Sequence, residues 1–281
     1  MDIYEKSVVD YFRDKAAAYD DVDNQVYWRL SDELLWDFLQ NKVLKNLLPH
    51  FKFLDAGGGT ARWTIKIVQE YKDSYGCVYD LSTEMLKEAK KKVNHQGLDK
   101  RIVLKEGDLN QSLSLSDGEF DLAINFHNVL GFVKNPSSVI AELARVVKKG
   151  GYVVSLVPNL YHNLFFNISV GNLKSIKTTM RTLKGKFTEN MPHMNMFTPD
   201  SIAHIYKDNN LTIELVSGFP ILIYPGIQET QLHGSSEFVT GILNDKHNFE
   251  TISNIEKSLF YNNKDTAARG NQIFIIGKKK N

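Results

Sequence analysis

The 281-residue chain is poor in cysteine, has no excess of either charge and contains no long apolar run. Its single thiol, Cys77, excludes an intramolecular disulfide and a cysteine-built zinc site. Lysine plus arginine number 34 against 33 acids, a formal net charge of +1. No global attraction to nucleic acid or to a membrane follows from that balance. No apolar stretch reaches the roughly 18 residues that a bilayer-spanning helix needs. The first twenty residues, MDIYEKSVVDYFRDKAAAYD, are charged and amphipathic, unlike a signal peptide. Neither repeats nor low-complexity segments interrupt the chain, apart from the KKK at 278–280. What is present is 42% hydrophobic and 24% charged, ordinary proportions for a globular chain with a sizeable core. A soluble, cytoplasmic protein is the expectation, with oligomeric state left open.

Residues 1–50 read as helical, a cap preceding the rest. Leu34, Leu35, Phe38, Leu39, Val43, Leu44, Leu47 and Leu48 recur at the spacing of one helix face. Ser31 before Asp32 and Glu33 has the pattern of a helix N-cap with acids in the first turn, and Pro49 ends the helix. From residue 51 short apolar runs alternate with amphipathic ones. Strands are expected at 51–56, 75–80, 101–108, 120–126 and 151–157, and helices at 60–72, 82–94 and 136–148. Such alternation predicts an α/β fold, a parallel sheet with helices on both faces. Past residue 158 the rhythm breaks into two excursions, about 160–196 and 221–268. The first has a helical centre from Leu164 to Leu183, and the second a helix near 249–260. Between them lie a helix opened by Thr198-Pro199-Asp200 and a strand at 211–219; a strand at 271–279 closes the chain. Both excursions are expected to be lids over the carboxyl ends of the strands, where open α/β sheets bind ligands.

The sharpest local feature is Asp55-Ala56-Gly57-Gly58-Gly59-Thr60-Ala61, between the first strand and its helix. Glycines there allow positive φ and a close approach of backbone amides to a ligand, although a tight strand-to-helix connection would use them equally. Strand two ends in Asp80, placed to accept both hydroxyls of a ribose. Strand three ends in Gly107-Asp108, suited to an amino group on a purine edge, and strand four ends in Asn125. Three acids at the ends of successive parallel strands, with the glycines, favour an adenosine site. A nicotinamide dinucleotide is disfavoured, because Asp55 would face its pyrophosphate, whereas a free ammonium group welcomes that charge.

These stretches, DAGGGTA, VYDLSTEML, EGDL, FDLAINFHNVLGFV and ELARVVKKGGYVV, in this order and spacing, resemble the class I S-adenosylmethionine-dependent methyltransferases of the small-molecule branch. The likeness covers residues 50–158 and the strand pair near 211–219 and 271–277. It implies a Rossmann-like, mostly parallel seven-stranded sheet with an antiparallel final strand and helical lids. It also implies S-adenosyl-L-methionine as cofactor. Asp55 and Gly57, Gly58 and Gly59 would wrap its methionyl part, Asp80 its ribose, and Leu81 and Met85 the adenine face. Asp108 and Leu109 would hold the adenine edge, and Asn125 would lie near the sulfonium. Relatives fold an amino-terminal segment over this pocket, so Tyr19, beside Asp20, and Arg29, as partner of the cofactor carboxylate, join the set. The family usually has glycine where this chain has Ala61.

Methyl transfer from a sulfonium needs a positioned nucleophile, exclusion of water and, for some acceptors, removal of a proton. No metal-ligand cluster is evident, so a metal-free site is expected. His127, after strand four, and His193, in MPHMNMFTP, are candidate bases. His127 equally suits a helix cap, and His193 a solvated loop. Asn128 and Tyr161 are candidate acceptor-binding residues, and Phe165, Phe166, Met194 and Met196 suggest an apolar pocket or a lid core. The function expected is direct methyl transfer to an oxygen, nitrogen or carbon of a small organic acceptor, without a membrane partner. An RNA-modifying enzyme is the rival, disfavoured because only 7 of the 34 basic residues are arginine and no basic-aromatic stripe occurs. A non-catalytic S-adenosylmethionine-binding module is the third reading.

Overall fold

The computed structural model describes residues 2–223, 237–260 and 264–280. Helix α1 (Ile3–Arg13), a 3-10 stretch (Ala16–Asn24) and α2 (Val26–Lys42) precede the sheet. Then follow β1 (Lys52–Ala56), α3 (Arg62–Glu70), β2 (Tyr75–Asp80), α4 (Thr83–His95), β3 (Ile102–Glu106) and β4 (Phe120–Asn125). A short α5 (Val129–Phe132), α6 (Pro136–Val146) and β5 (Val147–Pro158) complete the alternating half. The remainder is α7 (Leu160–Ser169), α8 (Leu173–Thr182), β6 (Lys184–Gly185), β7 (Met194–Asn195), α9 (Pro199–Asp208) and β8 (Leu211–Phe219). After these come α10 (Glu237–Leu243), α11 (Lys246–Phe260), a 3-10 turn (Lys264–Arg269) and β9 (Gln272–Lys279).

Seven strands form one sheet in the order β3-β2-β1-β4-β5-β9-β8, and β9 alone runs antiparallel, inserted between β5 and β8. Alternation along each strand divides the core between two faces. Phe53, Val78, Ile124, Val154 and Phe274 point to one layer, and Leu54, Cys77, Ala123, Val153 and Ile275 to the other. On the first face α2 lays Leu30, Leu34, Leu35, Phe38 and Leu39 against the sheet, all at most 2% exposed. The Phe38 ring stacks on Phe219 at 5.1 Å between centroids and meets Phe274 at 5.5 Å. Tyr206 on α9 buries its hydroxyl on the other side by donating to Ser155 Oγ, at 2.6 Å.

Two expectations need correction. Ser31 is not an N-cap: α2 starts a turn and more upstream, because Tyr27 and Leu30 extend the same apolar stripe, and Ser31 lies buried inside it with an unpaired hydroxyl. The helical centre of the first excursion is two helices, since Gly171 takes φ +72°, a conformation that stops α7. In the described part of the second excursion, Leu243, Phe249 and Ile252 pack on the α2 layer, and Ser253 Oγ donates to Glu33 Oε1 at 2.6 Å. Segments 224–236 and 261–263 of that excursion lie outside the described residues. No helix among the described residues is long and apolar enough to cross a membrane.

Replacing Leu34 by alanine is expected to cost about 2–5 kcal/mol in chemical denaturation, because it opens a cavity between α2 and the sheet. Ser31→Ala should leave stability unchanged or higher, since it removes an unsatisfied buried hydroxyl. Loss of a true N-cap would instead lower it by about 1 kcal/mol.

Candidate active site

Parallel pairing aligns the carboxyl ends of β1, β2 and β4: Asp55 lies opposite Val78 and Ile124, and Ala56 opposite Tyr79. A cleft opens over those ends with about 980 Å³ of atom-free space, part of it open to solvent. Asp55, Asp80 and Asp108 all line it, together with Gly57, Gly58, Gly59, Leu81, Met85, Leu109, Tyr19 and His127. Gly57 and Gly58 are sterically required. Gly57 has φ +74°, and a Cβ there would come within 2.5 Å of Val129, while one on Gly58 would come within 2.6 Å of the Asp55 carboxyl carbon.

Asp55 is 3% exposed and accepts a 2.6 Å hydrogen bond from Thr64 Oγ1. Burial, with Asp80 close by, pushes its carboxyl up to about 7. Asp80 accepts from the Gly59 and Ser82 amides at 2.8 Å each, and burial raises its pKa against those donors. Asp108 Oδ1 accepts from the Asn110 amide at 2.8 Å and from Asn110 Nδ2 at 2.9 Å. The amino-terminal segment closes this cleft. Val8, Val9 and Phe12 of α1 line it, and Asp20 in the 3-10 stretch accepts from Thr60 Oγ1 at 2.6 Å and pairs with Lys92.

A second lobe, about 770 Å³ counted the same way, shares Phe12, Tyr19, Arg62, His127 and Phe132 with the first. Tyr11, Trp28, Met191 and Met194 give it apolar walls, and Lys15, Asp32, Asn128 and Gln272 are polar. At the junction, Arg62 bridges Asp23 at 2.6 Å and Asp32. His127 Nε2 receives the Trp63 indole N–H at 2.6 Å, and an Arg62 guanidinium nitrogen lies 3.0 Å from the same atom. Both neighbours are donors only, so Nε2 is the acceptor and the ring proton sits on Nδ1. Burial lowers the His127 pKa to about 4, with Asp32 opposing and Arg62 reinforcing that shift. An imidazole that is neutral in this way, with its lone pair already engaged, is a poor base. His127 and Asn128 both have positive φ, +52° and +70°, which turns the chain sharply at the junction.

Four expected residues are not at the cleft. Asn125 is fully buried and lines neither lobe; its Nδ2 is held by the Ala56 carbonyl at 2.8 Å, so it braces β1 against β4. Arg29 is exposed on the outer side of α2, because Leu30 and Val26 take the inward positions. The His193 side chain is exposed, and its carbonyl accepts from the Tyr4 hydroxyl at 2.7 Å. Tyr161 is 48% exposed on α7, while Leu160 beside it packs inward. Of the residues suggested for an apolar pocket, Met194 lines the second lobe and Phe165 is exposed. Asp32, Arg62, Trp63 and Gln272 also line the two lobes, with no motif in the sequence to mark them. Asp32 sits four residues from both Trp28 and Trp36 on α2, an aromatic setting that signals a part-buried acid in need of a partner. Ala61 adopts φ +63° at the start of α3, the conformation that the usual glycine would favour. No group of three or more acids, histidines or cysteines among the described residues is arranged to hold a metal.

Residues 53–151 match the family model for a methyltransferase domain. Among curated proteins, the chain is 29% identical over 153 residues to a tRNA 5-carboxymethoxyuridine methyltransferase of Escherichia coli, covering 54% of this chain and 57% of that protein. It is 32% identical over 154 residues to a demethylmenaquinone methyltransferase of Lactobacillus johnsonii, covering 53% and 59% respectively. The chain thus spans a little over half the length of these relatives. In fold it is similar to a Haloferax volcanii methyltransferase solved with its Trm112 activator, with a TM-score of 0.60 and 12% identity over 100% of this chain and 99% of that one.

The buried Asp55 carboxylate sets a pH dependence. A raised folded-state pKa means that unliganded stability falls as pH rises from the ordinary carboxylate range through about 7. Binding of an ammonium-bearing ligand should strengthen over the same rise, with proton release below about 7. Titration calorimetry with S-adenosylhomocysteine should show this for the native chain. Asp55→Asn should flatten the dependence and weaken binding about ten- to hundredfold, and Arg29→Ala should change neither.

Proposed function

We propose that this chain, whose residues 53–151 match the model of a methyltransferase domain, is a class I S-adenosylmethionine-dependent methyltransferase that transfers a methyl group directly to a small organic acceptor. One observation carries the reading. A cleft built for a cationic adenosyl compound and an apolar lobe of acceptor size share a wall at Tyr19, Arg62 and His127. The residues fit the cofactor: a glycine turn in which a Cβ at Gly57 or Gly58 would clash with Val129 or Asp55, and a buried carboxylate, Asp55, that makes no ion pair among the described residues. In this reading Asp55 binds the ammonium group, Asp80 the ribose hydroxyls and Asp108 the adenine edge, while Leu81 and Met85 pack on the base. S-adenosylmethionine, when bound, supplies a methyl group on a sulfonium whose departure as a thioether requires no proton.

The chain's own residues then have to orient the acceptor and take its proton. Asp32 lines the acceptor lobe, and its Oδ1 is buried, has no hydrogen-bond partner, and lies 3.7 Å from His127 Nε2. Gln272 Oε1 is likewise buried and unpaired, while its Nε2 donates to Asn128 Oδ1 at 2.9 Å. Two vacant acceptors in one lobe call for an acceptor molecule that donates N–H or O–H, an amine or hydroxyl. Arg62 and His127 hold Asp32 and the wall between the lobes, so the proton goes to Asp32 and His127 acts as a positioning residue. Tyr19 and Phe12 exclude water from above.

The likeness to a tRNA methyltransferase favours a second reading, in which the acceptor is a nucleoside within RNA. Steep salt dependence of retention on immobilised tRNA supports that reading, and a flat one supports the small acceptor. Asp32→Asn should lower kcat across a panel of amines and phenols about a hundredfold or more, with S-adenosylhomocysteine affinity within about twofold of native. His127→Gln should cost less. Unchanged turnover in Asp32→Asn would remove the base assignment, and failure of the native chain to bind S-adenosylhomocysteine would remove the function.

A further inference from the structure

The helical hairpin α7–α8 is not accounted for by the cleft. Six of the twelve large hydrophobic side chains exposed among the described residues fall between 161 and 183. Tyr161 and Ile168 share one face of α7, seven residues apart, and Leu173 and Met180 share one face of α8 at the same interval. Ile168, Leu173, Met180 and Leu183 are 53–62% exposed. Residues 160–188 contain no acid and five cations, Lys174, Lys177, Arg181, Lys184 and Lys186, the first four exposed. This local charge is invisible in the near-neutral balance of the whole chain.

We propose that α7–α8 is a docking surface for an anionic lipid bilayer, lying in the headgroup region with Ile168, Leu173, Met180 and Leu183 in the acyl boundary. Exposed aliphatic side chains interleaved with lysine and arginine are what such an interface selects. The apolar groups gain by leaving water, and the cations by meeting anionic headgroups. An RNA phosphate backbone would satisfy the cations and leave the aliphatic groups in water. Pairing with a second copy across a two-fold axis would set the same cations against each other. α8 leads through β6 to Met191 and Met194 on the wall of the acceptor lobe, so docking brings that lobe to the bilayer surface. That the acceptor itself comes from the bilayer would rest in addition on methyl transfer; docking does not.

Co-sedimentation of the native chain with vesicles of phosphatidylcholine, alone or mixed with phosphatidylglycerol, tests the inference without any turnover. Retention on the anionic vesicles only, weakening with salt, is expected. Lys174→Gln, Lys177→Gln and Arg181→Gln together should reduce it by roughly fivefold per cation removed. Ile168→Ser with Met180→Ser, which changes only exposed positions, should reduce it at least tenfold or so, with an unaltered unfolding midpoint. No retention of the native chain on anionic vesicles would overturn the proposal, as would retention that either variant leaves intact. It would be equally overturned if the cation variant lost tRNA binding while no form of the chain bound vesicles, or if the serine variant abolished self-association instead.

Discussion

The register of the parallel strands is the constraint on which the molecule depends. Pairing Asp55 with Val78 and Ile124 brings the ends of β1, β2 and β4 level, and the ends of β1 and β2 then deliver Asp55 and Asp80 to one edge. A one-residue slip would turn every side chain on a strand to the opposite face. Buried apolar positions on both faces, Phe53 and Leu54 on β1 for example, oppose such a slip. The fold's core thus secures the placement of its charges. The consequence is a carboxylate held where water is scarce, its pKa raised by the burial that positions it.

That arrangement stores a preference. Asp55 ionised in a dry site is uncomfortable without a cation, and Asp32 Oδ1 and Gln272 Oε1 are acceptors without donors. In the function proposed, a cationic compound completes the first on one side of the Arg62–His127 wall and a hydrogen donor completes the other two on the opposite side. The wall is itself a compromise: two consecutive residues in left-handed conformation, held by Trp63, Arg62 and the Gln272 contact to Asn128. Such local strain persists only where its surroundings over-determine it, and it collects at functional junctions.

Roles moved between residues for simple geometric reasons. Arg29 and Arg62 are both arginines beside a predicted pocket, yet a helix lets one side chain face outwards while its neighbours Leu30 and Val26 are buried. Arg62, in the first turn of α3 directly after the glycine turn, has no such choice. Asn125 ends a central strand, where the nearest unmet backbone group, the Ala56 carbonyl, claims its amide. Likewise His193 lies just before β7 and Tyr161 within α7, where the inward positions are taken by Met194 and Leu160.

Local pattern alone determined the alternation of strands and helices, the glycine turn, and the acids at strand ends, because period, turn chemistry and chain order are properties of neighbours in sequence. β2 and β8 lie where the periodicity places them, and the Thr198 hydroxyl caps α9 as the Thr198-Pro199-Asp200 order suggests. Tertiary structure decided everything that required two distant segments to meet. The partnership of Asp32 with Arg62, the occupied lone pair of His127, the exposure of Arg29, and the exposure of Ile168, Leu173, Met180 and Leu183 on α7–α8 were all of this kind. The physical reason is that a side chain's pKa and hydrogen-bond vacancies are set by what packs against it, and for each of these residues that neighbour comes from another element of the fold.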